Sequence, residues 1–147
     1  MPRATIGVLL LLLTVPAMAD EAPCAGEGGV TARVLCHADR AVARASREAC
    51  DRASDARVRD QCYGVYAVRT GDPASCRAIP GDSRRAAGLR QICLSDVAIV
   101  TGEDGLCREI DDTGLRDACH LKLARDSDRM ALCERIEQPA LRKLCRR

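Results

Sequence analysis

Ten cysteines stand at positions 24, 36, 50, 62, 76, 93, 107, 119, 133 and 145, so the steps between them run 12, 14, 12, 14, 17, 14, 12, 14 and 12. No other feature of this sequence constrains the fold as strongly. Taken two at a time the cysteines define a 26-residue period, stretched once to 31 by a five-residue excess around the turn-forming Pro80-Gly81-Asp82-Ser83. Other positions keep the register. Three residues before each second cysteine stands an arginine (Arg33, Arg59, Arg90, Arg116, Arg142), preceded by Ala32, Val58, Leu89, Leu115 and Leu141. Five residues after the second cysteine come Ala41, Ala67, Ala98 and Ala124, and three after the first come Ile79, Ile110 and Ile136 in the last three units. The chain is therefore a fivefold internal repeat.

The spacing within a unit is helical. Leu115, Cys119 and Leu123 recur at i, i+4 and i+8, while Arg116, Asp117 and Lys122 project elsewhere. Each unit has room for two helices. In the fourth, a first helix is expected from about Glu103 to Ile110, a break at Asp111-Asp112, and a restart with Thr113 as N-cap. In the fifth, Ser127 or Asp128 begins a helix ending near Ile136, and Pro139 opens its partner at a first-turn position that tolerates proline. Asp72-Pro73 plays that part before Cys76. Residues 20–29 contain Ala25-Gly26-Glu27-Gly28-Gly29, a poor helix former, and read as a flexible strap tied down by Cys24. The expected fold is all-α: a short α-solenoid of about five disulfide-stapled helical hairpins over residues 30–147. The unit is shorter than a tetratricopeptide repeat and lacks that family's aromatic positions, so the likeness is one of architecture.

Met1 to Ala19 carries Arg3, an apolar run from Ile6 to Val15, and the small-x-small ending Ala17-Met18-Ala19, the pattern of an export signal cleaved before Asp20. The expected product is secreted or periplasmic, without a membrane span. In such a compartment an even cysteine count reads first as disulfides. Pairing within each unit uses all ten cysteines, whereas pairing across units, as in 36 with 50, strands Cys24 and Cys145 at opposite ends. The expected bridges are therefore 24 with 36, 50 with 62, 76 with 93, 107 with 119 and 133 with 145. Loops of about a dozen residues each contribute about 3 kcal/mol by the chain-entropy account.

Composition narrows the function. Trp and Phe are absent and Tyr63 and Tyr66 are the only aromatic residues, so the core is aliphatic and a deep apolar pocket of the usual kind is not expected. Without Arg3, the 23 basic residues become 22 against 21 acidic ones, a balance that predicts no nucleic-acid partner. No Ser, His and carboxylate set suggests a nucleophile, no glycine-rich loop leads from a strand into a helix, and no Cys-x-x-Cys-His is present. No catalysis and no cofactor are expected. Thiolate binding of copper or zinc is the alternative, opposed by spacing: ligands on helices sit one turn apart, and here no two cysteines are closer than twelve residues.

His37 and His120 both follow a second cysteine, a place held elsewhere by Tyr63, Leu94 and Arg146. So mixed a position reads as a partly exposed flank. Asp111-Asp112 and Asp126-Ser127-Asp128 lack the glycine and distal glutamate of a calcium loop and read as helix caps. The five arginines lie early in the second helix, where the macrodipole disfavours a cation. Ion pairs within the hairpin, Asp55 with Arg59 and Asp112 with Arg116, would offset that cost. Gly29 and Gln138 hold the acid's place in the outer units, which singles out Arg33 and Arg142 as candidate binding residues for an acidic partner along one face. The reading is an exported, non-catalytic binding or scaffold module.

Overall fold

The computed structural model describes residues 22–147; the export signal expected at 1–19 lies outside them. Every secondary-structure element among these residues is a helix. Each unit pairs a short helix bearing the first cysteine with a second helix bearing the other. The units are α1 (Ala22–Ala25) with α2 (Val30–Ala43), a 3₁₀ helix (Arg47–Arg52) with α3 (Ala56–Thr70), α4 (Pro73–Arg77) with α5 (Arg84–Thr101), α6 (Asp104–Cys107) with α7 (Thr113–Asp126), and a second 3₁₀ helix (Met130–Arg135) with α8 (Pro139–Cys145). The long helices stack in order, α2 on α3, α3 on α5, α5 on α7 and α7 on α8. This is a short helical repeat, as its period predicts.

Five disulfides join the two helices of each unit: Cys24 to Cys36, Cys50 to Cys62, Cys76 to Cys93, Cys107 to Cys119, and Cys133 to Cys145. Their Cα atoms stand 5.5 to 5.7 Å apart, and nine of the ten cysteines are buried. The bridges share one core with Ile79, Ile110 and Ile136 and with the repeat's alanines, Ala41, Ala67, Ala98 and Ala124, all buried. Alanine suits its place because the helix ends there. The N–H groups of Ser46, Asp72 and Arg129 donate to the carbonyls of Ala41, Ala67 and Ala124 at 2.9 to 3.0 Å, closing the last turn.

The helix starts differ from expectation in detail. Asp112, not Thr113, caps α7, accepting from the Leu115 N–H at 2.8 Å. Asp55 caps α3 through the Arg57 N–H, Asp72 caps α4 through the Ala74 N–H, and Ser83 caps α5 through the Ala86 N–H. A carboxylate or hydroxyl just ahead of a helix reaches the orphan N–H groups of the first turn, so it is spent there. Asp126 and Asp128 cap nothing: Asp126 pairs with Lys122, and Asp128 turns the chain at φ 50° ahead of the second 3₁₀ helix. Residues 26–29 are non-helical, and Ala22–Ala25 forms a single turn that brings Cys24 to its bridge.

Candidate binding groove

The five repeated arginines are all half-buried. Their partners are internal. Arg90 donates to the carbonyls of Ile79 and Gly81 at 2.8 Å, Arg116 to that of Ile110 at 2.8 Å, and Arg142 to that of Ile136 at 2.7 Å. These three guanidinium groups thus reach back to the carbonyl of the repeat's isoleucine, just past the short helix, and this negative end offsets the cost of a cation near the start of the next helix. The proposed pairs do not form. Asp55 and Asp112 serve as caps; Arg59 pairs with Asp60 at 3.1 Å, and Arg116 with Glu137 of the next unit at 2.8 Å. Arg33 lies 3.7 Å from Asp55, in a small polar hollow with His37, Arg52 and Ser54. Arg33 and Arg142, singled out for lacking an acid in their own turn, both have partners.

The position after the second cysteine is also not a flank. His37, Tyr63, Leu94 and His120 are all buried; only Arg146 of the fifth unit is exposed. Helical rotation by one residue from the disulfide carries this side chain against an adjoining element. Tyr63 donates to Asp51 beside its own bridge, and its hydroxyl is pushed up to about 12 by burial and by that carboxylate. His120 has no hydrogen-bond partner at Nδ1, and burial lowers its pKa, with Arg135 adding to the effect. All ten cysteines are bridged, which leaves no thiolate for a metal, and the described residues contain no cluster of three or more metal-ligating side chains. No described helix is long and apolar enough to cross a membrane.

What the sequence reading missed is a groove. It runs along α3, which forms its floor, between walls from α2 and α5, is open to solvent, and has a volume of about 620 Å³. It is an open, shallow-sided groove, not the deep apolar pocket that a chain without Trp or Phe is expected to lack. Its floor is Gly64, Val65 and Val68, its walls Leu35 on α2 and Leu89 and Ile92 on α5. Leu35 and Ile92 hold the same place in their units, directly before the second cysteine, and are 41% and 49% exposed. The depth comes from Gly64. It sits in the interior of a 15-residue helix, where glycine costs about 1 kcal/mol relative to alanine, and its φ is not positive. Packing does not require it either, since an added Cβ would meet only the Cys93 Sγ, at 4.0 Å. What the missing side chain does is open the floor.

Polar groups line the same groove. Asp60 is buried and answered by Arg59 and Arg85, and Arg69 is held by Asp39. Asp96, exposed on the α5 wall, has no ion pair or hydrogen bond with another described residue. Its carboxyl is held above the usual range by desolvation against its apolar neighbours. An open aliphatic trough with one unanswered carboxylate is equipped to hold an apolar ligand, and nothing in it resembles a nucleophile with a base. Compared with family models, curated proteins and solved structures, the chain matches none.

Proposed function

We propose that this protein is an exported, non-catalytic binding module that holds an apolar ligand in the groove between α2, α3 and α5. The observation that carries the reading is the groove floor: a helix-interior glycine required by neither backbone nor packing, flanked by two outward-facing aliphatic side chains at equivalent repeat positions. Aliphatic surface left in water on a rigid scaffold is a standing source of binding free energy, at about 25 cal/mol per Å² covered. The five disulfides support the setting. They point to an oxidising, extracytoplasmic environment and staple each long helix of the groove to the short helix of its own unit. The groove is favoured over an acidic partner on the arginine face, because Arg33 already has Asp55 at 3.7 Å and Arg142 already donates its Nε to the Ile136 carbonyl.

The test uses the neutral dye Nile red and the variant Gly64→Leu, which fills the groove floor. Wild-type protein is expected to shift and enhance the dye's emission, and Gly64→Leu to abolish most of that signal while its melting temperature stays equal or rises. Equal dye response from the two proteins would overturn the assignment of the groove.

A further inference from the structure

Beyond the groove itself, we propose that its occupant is a helical polypeptide segment of about two turns, aliphatic on one side and carrying a lysine or arginine that pairs with Asp96. This rests on the binding reading above and adds the chemistry of the partner. Each flanking helix carries a second exposed aliphatic residue that does not line the hollow, which gives an apolar pair, or rail, on each side. On α2, Leu35 and Val42 are seven residues apart, and on α5, Ile92 and Val100 are eight apart; all four are exposed. At a rise of 1.5 Å per residue each rail is roughly 10 to 12 Å long, which is two turns of a docked helix. A compact small molecule would leave those ends uncovered. A helix laid along them covers both rails and the floor, in the helix-in-groove manner.

The charge follows from what is already answered. Each rail has an aspartate at the same repeat position, three residues after the second cysteine: Asp39 on α2 and Asp96 on α5. Asp39 is taken by Arg69. Asp96 lies between Ile92 and Val100, one turn from each, so a helix covering these two residues also covers the carboxylate. Covering it with an apolar or acidic residue strands a charge, whereas a basic residue there gains a partially desolvated ion pair. Its raised pKa is the signature of that apolar setting.

The probe is a fluorescein-labelled 14-residue helical peptide of Leu, Ala and Gln with one central lysine, compared with versions carrying norleucine or glutamate at that position. Binding is read by anisotropy to the mature protein, with wild type, Asp96→Lys and Gly64→Leu as receptors. The lysine peptide is expected to bind wild type roughly tenfold more tightly than the norleucine peptide, and the glutamate peptide more weakly than either. Asp96→Lys should reverse the order, favouring glutamate, and Gly64→Leu should weaken all three. If the three peptides bind alike and Asp96→Lys changes nothing while Gly64→Leu still weakens them, the charge assignment falls and the groove stands. Nile red binding without peptide binding overturns the polypeptide partner. Indifference of every probe to Gly64→Leu overturns both readings.

Discussion

Ala45 and Asp128 adopt φ of 48° and 50°, and Gly71 and Gly102 take 67° and 76°. All four stand nine residues after their unit's second cysteine, so one repeat position is left-handed in each of the first four units. It terminates the long helix. Only two units place glycine there, and the Cβ of an alanine in this region costs about 1 kcal/mol or slightly more. Ala45→Gly is accordingly expected to stabilise the protein by roughly 0.5 to 1 kcal/mol, part of the gain being returned through the freer unfolded chain. Gly102→Ala, where the new Cβ would meet nothing within 4 Å, should lose about as much from the backbone alone. Chemical denaturation of the two variants checks both signs. A destabilised Ala45→Gly would mean that the alanine methyl supplies packing greater than its strain.

Between elements, the position two residues before the second cysteine couples one unit to the next. Asp117 is fully buried on α7 and accepts from the N–H groups of both Glu137 and Gln138, each at 2.9 Å, at the entry to α8. Gln91, at the same place on α5, accepts from the Asp112 N–H at 2.9 Å, at the entry to α7. Asp60 turns instead to Arg85 across the lengthened loop, and Val34 makes an apolar contact with Ala53 and Val58. Asp117 and Gln91 thus anchor the N–H groups just ahead of the next unit's long helix; Asp112 also caps α7 itself, whereas Gln138 makes no side-chain cap for α8. Asp117→Leu removes the acceptor of two part-buried N–H groups and is expected to cost about 1 to 3 kcal/mol. Hydrogen exchange should show the loss first in Pro139–Cys145, with Ala56–Thr70 unaffected. Uniform loss of protection along the chain would refute a local coupling.

For the molecule as a whole, contacts run between adjoining units and each unit carries its own bridge, so stability is expected to be distributed along the stack. Replacing Cys107 and Cys119 together by alanine should lower stability by about 3 kcal/mol, because it reopens a loop of separation 12 in the unfolded chain. The first two units should keep their helices, which circular dichroism and residue-level exchange would report. Collapse of all helical signal would instead show a single cooperative globule.

The order of units, their helical character and the in-unit pairing of cysteines were legible from spacing alone, because covalent reach and helical periodicity are local and repeat with the chain. The alanines and isoleucines of the core could be named for the same reason. The partners of the arginines were not legible. Acid residues near in sequence were the obvious candidates, but a helix start claims Asp55 and Asp112 for its own N–H groups, and the carbonyls that replace them carry no sequence signature. The burial of His37 and His120 depends on which face adjoins another element, although Tyr63 at the same position was a hint. Asp60, Gln91 and Asp117 also shared a recognisable offset, but what they bond lies across a unit boundary that only stacking defines. The groove belongs wholly to tertiary structure: Gly64, Leu35 and Ile92 sit in three different units, and a hollow exists only when three helices are set side by side with the smallest residue in the middle.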